Sequence, residues 1–444
     1  VNSQKERNGG VNLPPKVPRP KVKPANKKPF KDEGVSLMDN EKKSEESGMT
    51  ESEEKEFDKI EINTEEVLKG IEGPKKNDVT SEIKEKNEEE LEQDLFSEFS
   101  SYIKNQHDME EDNTKIETIP SGIDLFDAIL GGGFVVGALG IIVGQPGCGK
   151  TMLAIKALAQ GQIKHKGRML GGFLDSEEAT TKIRLANLGV RLPKIKPYVD
   201  ITVEKVFKFI EGLSVFKSEK KIIDTPSVVV WDSIANTLSV KETETDDPNS
   251  VIGYKARLLS ILVPKYIAKC SRHKICFLAV NQLRDSITIG QFTPPQDLKM
   301  LSPHKIMPGG TVLRYNVNQL VEVKVKTIID TEKAATAMYG FEGLIARVKC
   351  VKNKIFTPNI EIEIAGSFVT GFSNFWTNVN FLKTTKRLKT GAWNYLISMP
   401  DKKFRMKEAR QIYKTDSNFQ KAFDEAVKEA IQTEIVDKYN QELE

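Results

Sequence analysis

Leu139-Gly140-Ile141-Ile142-Val143-Gly144-Gln145-Pro146-Gly147-Cys148-Gly149-Lys150-Thr151-Met152-Leu153-Ala154-Ile155-Lys156-Ala157-Leu158-Ala159 is the stretch that decides the fold. A short apolar run with β-branched residues reads as a buried strand. A glycine-rich turn follows, then a run of helix formers. This is G-x-x-x-x-G-K-T in a strand-loop-helix setting, the context the pattern requires. Residues Gly144, Gln145, Pro146, Gly147, Cys148, Gly149, Lys150 and Thr151 then form a phosphate cradle. The glycines let backbone N–H groups close around an anion at a helix amino terminus, where unpaired donors and the helix dipole favour negative charge. Lys150 reaches the outer phosphates and the Thr151 hydroxyl ligates Mg2+. ATP or GTP is the expected ligand.

Working outward, Val228-Val229-Val230-Trp231-Asp232 is a second apolar run ending in an acid, the arrangement that places a carboxylate on the magnesium shell. Between the two lies Phe173-Leu174-Asp175-Ser176-Glu177, a strand that also ends in carboxylates. Hydrolysis needs a group within hydrogen-bond reach of the attacking water, and a glutamate at a strand end can supply it. Glu178 is the rival by adjacency, and strand alternation alone leaves the choice open. Further strands are expected at Ile275 to Val280, Gln319 to Val325 and Leu344 to Val351. Alternation of such runs with helical stretches from about Thr114 onward predicts an α/β fold, with a mostly parallel twisted sheet flanked by helices. Ligands then sit at the carboxyl edge of the strands.

Upstream the composition changes. Hydrophobic residues are 39% of the chain, against a usual figure of about 45–50%, and the deficit falls almost wholly before residue 90. Pro14 to Lys31 interleaves prolines with lysines, and Asp39 to Glu90 is rich in Glu, Lys and Ser. Neither can bury a core, so both read as a disordered tail. Leu91, Leu95, Phe96, Phe99, Tyr102 and Ile103 then recur at helical spacing and predict one amphipathic helix. Its stripe must cover either its own core or a neighbouring subunit. The net charge of +3 is too small to argue by itself for a polyanionic partner. The four cysteines form no C-x-x-C pair, which points to a reduced, cytoplasmic protein rather than a zinc or disulfide scaffold. No run reaches about 18 apolar residues, so no membrane span is expected.

The order and wording of these elements resemble the RecA family, and within it the UvsX-type recombinases of bacteriophages. The likeness begins at Glu117-Thr118-Ile119-Pro120-Ser121-Gly122 and passes through Leu130-Gly131-Gly132-Gly133 to the phosphate loop. It resumes at Leu174-Asp175-Ser176-Glu177, Asp232-Ser233 and Lys241-Glu242-Thr243-Glu244. Val280-Asn281-Gln282-Leu283-Arg284, the pair Gly309-Gly310, Val351-Lys352-Asn353-Lys354-Ile355 and Thr390-Gly391-Ala392-Trp393 follow. It spans about residues 90 to 430.

The resemblance implies an ATP-dependent protein that forms a filament on single-stranded DNA and exchanges strands with a homologous duplex. It divides the chain into a tail (1–88), an oligomerisation helix and linker (89–111), an ATPase core (112–366) and a small α/β carboxyl-terminal domain (367–444). Glu177 then polarises the attacking water, and Gln282 senses the γ-phosphate at the start of the second DNA loop. Lys352 and Lys354 reach the ATP of a neighbouring subunit. DNA contacts fall to Arg257 after a first loop from about Lys241 to Gly253. A second loop, Arg284 to Met307, adds Arg284 and Phe292 and is closed by Gly309 and Gly310. Where many relatives stack an aromatic on adenine, this chain has Arg184, whose guanidinium plane can also stack. Cys148 reads as a small filler without chemistry. Single-strand-binding and loading proteins are further expected partners. The rival reading is a ring-forming ATPase with the same core, a replicative helicase or a regulatory ATPase.

Overall fold

The computed structural model describes residues 116–192, 195–198, 200–285, 301, 305–333 and 336–438. The expected tail (1–88), the amphipathic helix (89–111) and most of the second loop, Phe292 included, lie outside the described residues.

The described strands up to Phe372, in chain order, are β1 (Thr118–Ile119), β2 (Phe134–Val135), β3 (Leu139–Gly144), β4 (Leu170–Asp175), β5 (Ile195–Tyr198), β6 (Ser227–Asp232), β7 (Ile275–Gln282), β8 (Arg284–Asp285), β9 (Lys305–Ile306), β10 (Gln319–Ile329), β11 (Gly343–Asn353), β12 (Glu361–Ser367) and β13 (Gly371–Phe372). Nine of them make one sheet in the order β13-β12-β11-β10-β3-β7-β6-β4-β5. From β10 to β5 all neighbours run parallel, and the β10-β11-β12-β13 flank is antiparallel. This is the α/β architecture expected, and each of the six anticipated strands is present. The chain also adds strands that were not anticipated. β12 carried a readable signal, since Ile362 and Ile364 are buried while Glu361 and Glu363 face outward, the period of two of a half-covered strand.

The parallel strands are covered on both faces, which is why they read as unbroken apolar runs. Ile142, Phe173, Val228, Val230, Leu278 and Val321 point to one core. Ile141, Val143, Leu174, Val229, Trp231 and Phe277 alternate to the other. The helix Lys150–Lys164 packs on the first face, and the helices Val203–Glu219 and Tyr254–Arg272 on the second. A third cluster, built on Trp376, Phe404, Phe419 and Phe423, gathers the segment after β13. Among the described residues no helix is long and apolar enough to cross a membrane.

One buried charge supports the second face. Lys217 is fully buried, and its ammonium donates to the carbonyl oxygens of Thr225, at 2.7 Å, and His273. Burial pushes the ammonium down to about 8. The unfolded chain holds this proton to about pH 10.4, so between these values the unfolded state binds more protons and stability rises with pH. Denaturant unfolding should therefore show the wild type gaining about 2 kcal/mol between pH 8 and 10 relative to Lys217→Met. Parallel curves for the two proteins would contradict this.

Candidate active site

β3, β4, β6 and β7 end at one edge of the sheet, and the register brings their last residues level. Gly144 pairs with Gln282, and Asp175 with Asp232. The phosphate loop leaves β3 at this edge and enters the helix at Lys150. Gly147 (φ +74°) and Gly149 (φ +94°) take the left-handed backbone that turns the loop, a conformation costly for any residue with a Cβ. Gly144 is needed for a different reason. A Cβ there would lie 2.3 Å from the Val323 carbonyl oxygen and 2.7 Å from the Cys148 sulfur. Cys148 is buried, and burial pushes its thiol up, so it fills space under the loop.

Lys150 is buried and donates to the Gln145 carbonyl at 2.7 Å. The Thr151 hydroxyl donates to the Asp232 carboxylate at 2.6 Å. Burial pushes Asp232 up to about 6, the Thr151 hydrogen bond opposes this, and the nearby Glu177 and Asp175 carboxylates add to the rise. A hydroxyl and a carboxylate oxygen side by side, within a group of acids whose charges repel, are the hard donors that suit Mg2+. Thr151 and Asp232 therefore fit the metal. Asp175 instead builds the local turn, accepting from the N–H groups of Glu177 at 3.0 Å and Thr180 at 2.9 Å.

Glu177 is the glutamate on which donors converge. Its Oε1 accepts from Asn236 Nδ2 at 2.6 Å, Ser233 Oγ at 3.0 Å and Gln282 Nε2 at 3.5 Å. Glu178, at φ +52°, is exposed. Arg184 is half-buried and its guanidinium donates to the carbonyls of Phe368 and, at 3.4 Å, Val369. That turn closes on the phosphate loop through Phe372, whose ring lies 2.7 Å from where a Gly149 Cβ would stand. Sequence reasoning did not find this flank of the site, since β12 and β13 had not been read as strands.

The base of the second loop is a two-stranded ribbon, β8 on β9, with Arg284 opposite Ile306. It grows directly out of the phosphate loop, because Leu283 donates its N–H to the Gly144 carbonyl at 3.2 Å. At the far end Asn281 donates to the Pro308 carbonyl at 2.8 Å. Gly309 (φ +106°) leaves no room for a Cβ, which would meet Leu313 at 2.5 Å, and Gly310 sits against Ala256. A cavity of about 260 Å3 adjoins the ribbon, lined by residues that include Gln145, Pro146, Leu283, Lys305 and Glu322. The first loop is more ordered than a polar connector, with a short helix Val240–Thr243, capped by Ser239 and Glu242, and a 3-10 turn Pro248–Val251. Arg284, and Arg257 one turn into the next helix, are exposed.

Lys352 and Lys354 lie at the end of β11, away from the Glu177 carboxylate. Lys352 donates to the carbonyls of Arg314 at 2.6 Å and Tyr315 at 3.2 Å, while Lys354 is exposed. Burial and the neighbouring Lys354 both lower the Lys352 ammonium. Tyr315, whose carbonyl Lys352 holds, is 77% exposed.

Comparison with known proteins agrees with this fold. The profile of the RecA N-terminal domain matches residues 101–373. Among curated relatives, the RecA protein of Crocosphaera subtropica is 28% identical over 280 residues, covering 63% of this chain and 73% of the relative. That of Heliobacterium modesticaldum is 30% identical over 244 residues, 55% of this chain and 63% of the relative. That of Oceanobacillus iheyensis is 29% identical over 262 residues, 58% and 67%. The matched span holds the phosphate loop, both acidic strand ends, Gln282 and the Lys352-Asn353-Lys354 segment, and it exceeds half of the chain. The chain belongs to the RecA family.

Proposed function

We propose that this chain is an ATP-driven recombinase that assembles as a helical filament on single-stranded DNA and pairs that strand with a homologous duplex. What supports the reading is the Gln282 amide within 3.5 Å of the Glu177 carboxylate. The residue that begins the second loop thereby contacts the group that would orient water, so DNA on the loop and chemistry at the phosphate are linked through one side chain. The wording Asp232-Ser233 and Lys241-Glu242-Thr243-Glu244 supports a recombinase of the UvsX type.

In this mechanism Lys150 and the N–H groups of the loop hold the phosphates of ATP, and Thr151 and Asp232 hold Mg2+. When bound, the metal would offset the negative charge of the phosphates. Glu177 accepts a proton from the attacking water through its second carboxylate oxygen. Lys352 and Lys354 of one subunit extend to the nucleotide of the next and stabilise charge on the transferring phosphoryl group. Arg257, Arg284 and the N–H groups of Gly309 and Gly310 hold the single strand's phosphates, and Phe292 stacks on bases. Contacts of this kind carry no sequence preference. The setting is the cytoplasm of a bacterial or phage-infected cell, where single-strand-binding and loading proteins are further partners.

The test is a strand-exchange assay with circular single-stranded DNA, homologous linear duplex, ATP and Mg2+, alongside electron microscopy. Joint molecules and helical filaments are expected. Closed rings, with ATP hydrolysis indifferent to single-stranded DNA, would instead support the ring-forming alternative.

A further inference from the structure

Asn236 lies on the turn that follows β6, and its side chain is exposed. An exposed amide ordinarily spends its hydrogen bonds on water. This one donates to Glu177 Oε1 at 2.6 Å, closer than Ser233 at 3.0 Å or Gln282 at 3.5 Å. All three donors reach the same oxygen, so Oε2 takes none of them and is the oxygen left to accept from water.

The turn itself is firmly tied. Ile234 donates its N–H to the Val280 carbonyl at 2.9 Å. The Thr237 hydroxyl donates to the Ser233 carbonyl at 2.7 Å and accepts from Trp231 Nε1 at 2.7 Å. Lys255 donates to the carbonyls of Thr237 at 2.7 Å, Ala235 at 3.2 Å and Ile234 at 3.4 Å. Lys255 is the second residue of the helix Tyr254–Arg272, two residues before Arg257 and directly after the first loop.

We propose that Asn236 is a positioning residue for Glu177, and that Lys255 anchors its turn to the first DNA loop. This rests on the reading of Glu177 as the hydrolytic carboxylate. Gln282 links the carboxylate to the second loop, and the Lys255–Asn236 connection links it to the first. A donor fixed from outside the second loop keeps Oε1 occupied, so rotation of the carboxylate about its bond cannot turn Oε2 from the water.

The experiment measures kcat and KM for ATP on the full chain with poly(dT). Asn236→Ala should lower kcat about 10- to 100-fold, the cost of a carboxylate displaced by about an ångström, with KM for ATP changed less than about threefold. Asn236→Asp keeps the shape but lacks the donor and should fall at least as far. Asn236→Gln, which restores an amide, should recover part of the loss. Lys255→Met should reduce the stimulation by poly(dT) more than the rate without DNA. Wild-type kcat in Asn236→Ala, or full activity in Asn236→Asp, overturns the proposal provided that Glu177→Gln is inactive. Should Glu177→Gln itself remain active, the underlying reading fails instead. Because Asn236 is exposed, its variants should keep the wild-type Tm; loss of kcat together with a lowered Tm and an equally lowered rate in Asn236→Gln would mark a merely structural role and also overturn it.

Discussion

Replacing Lys352 and Lys354 together with alanine should reduce DNA-stimulated ATP hydrolysis by about 1,000-fold or more, the range for removing a cation supplied in trans to a phosphoryl-transfer site. Nucleotide binding should change little, because Lys150, Thr151 and Asp232 lie at the opposite edge of the sheet, past the carboxyl ends of the parallel strands. Within its own subunit Lys352 holds the carbonyls of Arg314 and Tyr315. Its loss alone therefore costs about 1 kcal/mol of local stability. Lys354→Ala leaves that contact intact and separates the two effects. A mixing experiment tests the shared site directly. The double-lysine variant retains Glu177, and Glu177→Gln retains both lysines. Each alone should be inactive, while a random equal mixture has both halves present at about a quarter of its head-to-tail interfaces. Recovery of rate on mixing establishes supply in trans. Absence of recovery, with both variants still forming filaments, contradicts it.

Glu177→Gln should lower kcat by about 100- to 10,000-fold, the usual worth of a general base. The glutamine oxygen can still accept from Asn236, Ser233 and Gln282, so the fold and ATP binding should survive. Filaments of this variant should persist on single-stranded DNA with ATP, because the ATP that joins its subunits stays unhydrolysed. Glu178→Gln should change kcat less than about twofold, because its backbone at φ +52° sits outside the donor cluster. A slow Glu178→Gln beside a normal Glu177→Gln would reverse the assignment. Single-turnover hydrolysis with bound ATP distinguishes this from a change in affinity.

Much of this architecture could be read along the chain. The strand-loop-helix at 139–159 and the acidic ends at Asp175, Glu177 and Asp232 are local patterns, and their order implies a parallel sheet with a ligand at its carboxyl edge. The strands outside that pattern were harder to read. β5, Ile195–Tyr198, carries Pro197 and among the described residues pairs only with β4, as an edge strand can. β12 and β13 lie beyond the last parallel strand, and with them the turn that Arg184 contacts stayed hidden.

Residue types and spacing by themselves marked a candidate phosphate cradle and candidate acids at strand ends, because these depend on backbone geometry within a few residues. They left Glu177 and Glu178 equivalent, since a strand end has no fixed period that says which side chain meets a neighbour. Only the tertiary structure distinguishes their surroundings, by bringing Ser233 and Asn236, 56 and 59 residues away, and Gln282, 105 residues away, onto one oxygen of Glu177. Parallel pairing through helices puts sequence-distant strand ends side by side, and a hydrogen bond formed there has no trace in local spacing.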